Sequence, residues 1–190
     1  MNRSTHKMTA ANTPEWYAVR VMYRKEMQVK THLDNLSISN YIPMKYIEVP
    51  APKGGGRPKR KLAPVIHNLI FVRTERPVID AVKRELETRS PIRLVIDPGT
   101  RQPVVIPDKQ MQDFIAVTGS YDEQLVFLDN ETIDLKTGDR VRITGGPFAG
   151  VEGELMRIRG DRRVVVRLSG IMAVATAFIH PSLLEKIDRA

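Results

Sequence analysis

Leu135-Lys-Thr-Gly-Asp-Arg-Val-Arg-Ile-Thr-Gly-Gly-Pro-Phe-Ala-Gly-Val-Glu-Gly-Glu-Leu155 divides the chain into two unlike parts. Branched residues flank charge in Val141-Arg-Ile143, and glycines interrupt at 138, 145, 146, 150 and 153. Branched side chains lose χ1 freedom in a helix and pack well on a pleated surface. Each interior glycine costs a helix about 1 kcal/mol relative to alanine, and a proline such as Pro147 about 3. The stretch therefore reads as short strands joined by tight turns. The same texture runs on toward the C-terminus, where Gly160 and Gly170 punctuate further branched runs. Val141 to Thr144, Gly150 to Ile158, Val164 to Leu168 and Met172 to Ile179 give four or five strands, which predicts a small all-β barrel over 133–190. Closure suits so short a segment, because it leaves no free edge strand. The helix-tolerant exception is Ile171 to Phe178, with alanines at 173, 175 and 177.

Upstream the pattern mixes both periods. Trp16-Tyr-Ala-Val-Arg-Val-Met22 reads as a strand, and Arg24 to Leu36 as a helix burying Val29, Leu33 and Leu36. Val65 to Val72 is a strong strand. A second helix begins near Pro77, with Val78, Ile79, Val82 and Leu86 as its apolar face. Asp97-Pro-Gly-Thr-Arg101 is a turn between Ile92 to Ile96 and Pro103 to Ile106, which makes a hairpin. Asp108 is placed to cap a third helix carrying Met111, Phe114 and Ile115, with Gly119 as its stop. Residues 15–118 thus predict one α+β domain, an antiparallel sheet with flanking helices. Residues 1–14 read as a flexible tail, and the acidic stretch 119–132 as a linker.

The 190 residues carry a net charge of +8. The excess is uneven: residues 1–120 hold 20 Lys/Arg against 11 Asp/Glu, and residues 121–190 hold 10 against 11. A basic N-terminal part points to an anionic partner, nucleic acid most often, or to an inert basic surface. There are no cysteines, which removes disulfides, thiolate metal sites and cysteine nucleophiles. The four histidines, at 6, 32, 67 and 180, share no tight ligand spacing. No cofactor or metal is expected. Gly54-Gly-Gly56 lacks the Gly-Lys-Ser/Thr ending of a phosphate loop and the spacing of a dinucleotide fingerprint, and no catalytic triad is suggested, so no enzyme is expected. With no long apolar run and no secretory leader, a cytoplasmic, monomeric protein that avoids membranes is expected.

The Gly138-Asp-x-Val-x-Ile143 opening, the Gly146-Pro-Phe-x-Gly150 turn and the later Gly153 resemble a KOW motif, which implies an SH3-like barrel. Trp16-Tyr17 and Pro64-Val-Ile-His-Asn-Leu-Ile-Phe-Val72 resemble the N-terminal domain of the NusG family of transcription elongation factors. Val105-Ile-Pro-Asp-Lys-Gln-Met-Gln-Asp-Phe114 is similar to one branch of it, the specialised Bacteroidetes paralogues that antiterminate capsular-polysaccharide operons. The resemblance implies a factor that sits on the clamp helices of the β′ subunit of RNA polymerase and reduces pausing or termination. Its KOW domain implies a further partner, a small-subunit ribosomal protein or Rho. In one specialised branch the free KOW segment is a helical hairpin; the glycines and valines here predict strands instead. The alternative class is a KOW-bearing RNA- or ribosome-binding module without polymerase activity.

Four sets of residues follow. Trp16, Tyr17, Ala18, Leu69 and Phe71 match the family's apolar polymerase-binding surface. Alternation puts Trp16, Ala18 and Arg20 on one face and Tyr17 on the other, so some are ordinary core; Ala18, Leu69 and Phe71 are favoured. Arg24, Lys25, Gln28 and His32 match the first-helix edge that touches the non-template DNA strand in specialised members; a solvated helix face would carry the same residues. Lys53, Arg57, Lys59, Arg60 and Lys61 read as a mobile basic loop that follows phosphates, or as a solvated loop. Gly146, Pro147 and Phe148 match the KOW partner surface, unless Phe148 folds back as a lid on the barrel.

Overall fold

A computed structural model describes residues 13–188 except 52, 54, 129–137 and 169. Most of the expected tail, the end of the expected linker and the first residues of the C-terminal part lie outside the described residues.

In chain order the elements are β1 (Glu15–Val21), α1 (Glu26–Asn35), β2 (Ser39–Tyr41), β3 (Met44–Val49), β4 (Lys59–Pro64), β5 (Leu69–Thr74), α2 (Arg76–Glu85), β6 (Ile92–Leu94), β7 (Val105–Ile106), α3 (Asp108–Thr118), β8 (Val126–Leu128), β9 (Asp139–Ile143), β10 (Glu152–Ile158), β11 (Asp161–Leu168), β12 (Met172–Phe178) and β13 (Leu184–Lys186). Among the described residues, strands and three α-helices make an α+β arrangement. The first sheet runs β2-β5-β1-β6, with β7 pairing β1 farther along. The second runs β13-β9-β10-β11-β12-β8, and β3 and β4 form a separate ribbon.

β1 is covered on both faces. Tyr17, Val19 and Val21 pack with Ile70 and Val72 against Val29 and Leu33 of α1 and Ile79 and Val82 of α2. Trp16 and Ala18 pack with Leu69 and Phe71 against Met111, Phe114 and Val117 of α3. This second core continues without a break into Val141, Ile143, Val164 and Val166 of the other sheet. α3 thus lies between the two sheets. Lys109 Nζ donates to both Asp113 oxygens at 2.6 Å and to the Gly150 carbonyl at 3.1 Å, tying the start of α3 to the loop before β10.

Several expectations change. α1 starts two residues later than Arg24, because Tyr23 and Arg24 adopt φ of 60° and 54°. Leu36 lies beyond the helix end and is exposed. The strand expected from Val65 begins only at Leu69, after a turn that ends on Asn68. Val78 is exposed, since only Ile79, Val82 and Leu86 keep helical spacing toward the sheet. Asp108 does not cap α3. Pro107 holds that place, and Asp108 takes Arg73 in a two-pronged pair, Nε and Nη2 each at 3.1 Å. The expected hairpin forms, through an Ile96–Pro103 bridge and bonds from Val104 N–H to the Val95 carbonyl and Asp97 N–H to the Gln102 carbonyl, but it is irregular, and β6 and β7 both pair with β1 instead of each other.

Residues 119–132 are not linker throughout. Val126 and Leu128 face Val165, Ala173 and Ala175, and β8 pairs with β12. Burying two such side chains contributes about 1.5–3 kcal/mol each, enough to fix a short strand in an otherwise polar stretch. Among the described residues from Gly138 on, the regular elements are strands apart from one 3-10 turn at Pro181–Leu183. Gly153 is required where β10 crosses β11: a Cβ there would stand 2.6 Å from the Val165 carbonyl oxygen.

Candidate functional site

The residues matched to a polymerase surface are not an exposed patch. Trp16, Tyr17, Ala18, Leu69 and Phe71 are all buried. Tyr17 lies in the opposite core from the other four. Burial, then its bond to Glu15 Oε2 at 2.8 Å, pushes its phenol up to about 12. Phe71 meets Phe114 edge to face at 5.9 Å, and Phe114 meets Tyr41 at 6.5 Å. The physical reason is α3, which closes over the face that carries Trp16, Ala18, Leu69 and Phe71, while α1 and α2 cover Tyr17. On the far side of that helix Asp113 is buried. Burial pushes its carboxyl up, against the pull of Lys109 and the Glu152 amide.

The start of α1 is more exposed and more constrained. Arg24 N–H donates to Asn68 Oδ1 at 2.8 Å, Val21 N–H to the Asn68 carbonyl at 2.9 Å, and Met22 N–H to the Pro91 carbonyl at 3.0 Å. Lys25 Nζ reaches the Arg89 carbonyl. Asn68 itself has φ of 63°. Three non-glycine residues in the left-handed region thus meet at one turn, and such strain persists only where surrounding bonds fix it. Beneath the turn Glu26 is buried and takes His67 Nδ1 at 3.0 Å. Burial pushes the Glu26 carboxyl up, but His67 and the Glu26 and Asn68 amides outweigh it and hold it below the ordinary glutamate value.

Of the four residues expected at this edge, Arg24 and Gln28 are exposed and Lys25 is half-buried. His32 turns toward α2, its Nε2 at 3.4 Å from Glu85 Oε1. Three further exposed residues were not expected at this edge. Tyr23 is 74% exposed, held out by its own backbone. Arg20 and Arg93 stand directly opposite each other on β1 and β6, both exposed. Like charges in that position are destabilising without a counter-charge. The available signal was the absence of any acid from Arg20 to Lys25 and from Arg89 to Arg93. Neither the strand register nor the positive φ has a signature in the residues themselves.

The basic loop is in part a strand. Lys59, Arg60 and Lys61 belong to β4, paired with β3; Lys53 and Arg57 are exposed in the connection. Arg60 lies 4.6 Å over the Tyr46 ring and pairs with Glu123, and Tyr46 meets Tyr121 at 6.1 Å. A cleft of about 560 Å³ opens between the ribbon and residues 121–127. At the KOW turn, Gly146 and Pro147 are exposed, with Gly146 at φ 78°. Phe148 is buried in the core shared by α3 and the second sheet, so it is not a free loop tip. No group of three or more His, Cys, Asp or Glu among the described residues is placed to hold a metal ion, and no described helix is long and apolar enough to cross a membrane.

The family model described as transcription termination factor nusG matches residues 14–115, more than half of the chain. The chain belongs to the NusG family. A KOW motif matches residues 137–167 of this NusG-family chain. No curated protein matches it. Among solved structures it is similar to one reported as "Domain interaction in Thermotoga maritima NusG", with 21% identity over 94% of this chain and 100% of that one and a TM-score of 0.46.

Proposed function

We propose that this NusG-family protein is a cytoplasmic, monomeric transcription elongation and antitermination factor. It binds the β′ clamp helices of RNA polymerase through its N-terminal part, and its KOW segment, an SH3-like barrel, recruits a small-subunit ribosomal protein or Rho. It reduces pausing or termination in long operons such as those for polysaccharide biosynthesis, as the Bacteroidetes branch does. The family match over residues 14–115 carries this reading.

The packing adds a condition. The apolar face of β1 and β5 is closed by α3, and the second sheet lies on the other side of that helix. Polymerase therefore meets the half-buried rim, Val65, Ile66 and Ile115, once the second sheet moves aside. Trp16, Ala18, Leu69 and Phe71 support that surface from beneath. The non-template strand lies along Arg24, Lys25 and Gln28, with Tyr23 as a stacking platform and Arg20 and Arg93 on phosphates. Gly146 and Pro147 remain the exposed part of the KOW partner surface.

Affinity purification of the full chain from its native lysate, scored separately for polymerase and ribosomal subunits and repeated with purified polymerase, tests the reading. Polymerase is the expected partner in both arms. Recovery of ribosomal subunits alone would establish the alternative, an RNA- or ribosome-binding KOW module.

A further inference from the structure

The β3–β4 ribbon has two unlike faces. Directly opposed residues of an antiparallel pair project to the same side. Tyr46 opposite Leu62 and Glu48 opposite Arg60 define one face; Lys45 opposite Ala63, Ile47 opposite Lys61 and Val49 opposite Lys59 define the other. The first face is occupied, by the Tyr46–Arg60 stack, the Tyr121 ring and Glu123. The second is bare. Lys45, Lys59 and Lys61 are exposed on it without an ion-pair partner among the described residues. Ile47 and Val49 stand between them at 38% and 39% exposure. No acid lies on this face, and residues 44–64 hold six basic residues against one acid, Glu48.

We propose that this outer face of the ribbon docks in the major groove of duplex DNA. Charge complementarity names an anionic partner, and the geometry selects a duplex. The major groove, about 12 Å wide, admits a two-stranded ribbon. Lys59 and Lys61, two residues apart on one strand, are spaced by about 6.8 Å. That matches two base-pair steps at about 3.4 Å each along the axis of a duplex. Ile47 and Val49 then meet sugars and thymine methyl groups. A single strand is disfavoured, because the face has no aromatic residue on which bases stack. A membrane surface is disfavoured too, with three lysines to two aliphatics and no aromatic anchor. Lys53 and Arg57 extend the charge to the tip. The proposal extends the nucleic-acid part of the function above and does not depend on the polymerase contact.

The test is anisotropy of a labelled duplex, and separately of one of its strands, with the full-length protein over a salt series. Lys45→Gln, Lys59→Gln and Lys61→Gln combined should weaken duplex binding at least about tenfold at low salt, and flatten its salt slope by about 2.7, or 0.9 for each phosphate no longer neutralised. Single-strand binding should change little, and Arg60→Gln on the opposite face should leave the duplex slope alone. Circular dichroism of the triple variant should match the parent, since all three lysines are exposed. An unchanged duplex slope, equal losses on duplex and single strand, or binding to anionic lipid vesicles in place of duplex would overturn the proposal. Polymerase capture by the same triple variant keeps the two readings apart: it should persist whichever way the duplex result falls, and its absence in the parent would count against the polymerase reading only.

Discussion

Phe71→Ala should cost about 3–5 kcal/mol of stability, read as a shift in the denaturant midpoint. The side chain has no exposed area, and its ring packs edge to face on Phe114. Truncation leaves a cavity between β5 and α3 that the sheet cannot collapse to fill, because β5 is hydrogen-bonded on both sides, to β1 and β2. Any loss of polymerase binding in this variant would follow from unfolding or from movement of α3. Ile66→Ala, at a half-buried rim position, should instead weaken polymerase binding with a smaller change in midpoint. A Phe71→Ala protein with an unchanged midpoint would show that the ring is not held between the sheet and the helix.

Replacing Arg20, Arg24, Lys25 and Arg93 together by glutamine should lower affinity for single-stranded DNA by about a hundredfold or more at low salt, and reduce the salt slope by about 2.8, taking 0.7 for each of four phosphates. The fold should tolerate the change. Three of the four side chains are exposed, and the Arg20–Arg93 juxtaposition loses a like-charge repulsion. Tyr23→Ala should weaken binding with no change in slope, because stacking releases no counterions. Equal affinity and slope in the quadruple variant would mark these residues as a solvated surface.

Most strands were legible because one period dominated. The alternation of Trp16 to Val21 correctly placed two faces on β1, and glycine spacing marked the β-rich C-terminal part. Which face was covered was not legible, since that depends on α3, almost a hundred residues away. The same limit hid β8, whose Val126 and Leu128 sit in a polar stretch and gain their burial from β11 and β12. Lys59-Arg-Lys61 read as loop because lysine and arginine carry little strand signal; the pairing comes from β3. Phe148 looked like a loop tip because turn chemistry flanks it, yet its burial is set by the core it joins. At the start of α1 the helical pattern was right, but positive φ at Tyr23 and Arg24 is a tertiary outcome, fixed by Asn68 and the Pro91 carbonyl. Most site residues named for charge stayed exposed, as did Gln28, Gly146 and Pro147, whereas Trp16, Tyr17, Ala18, Leu69, Phe71 and Phe148 proved to be core.

Single-round transcription by purified RNA polymerase, on a template with a defined pause and a terminator, tests the central claim most directly. Adding the full-length protein should shorten the pause and raise read-through, with the protein retained on the elongation complex. Unchanged pausing and read-through, with no protein on the complex, would contradict the account.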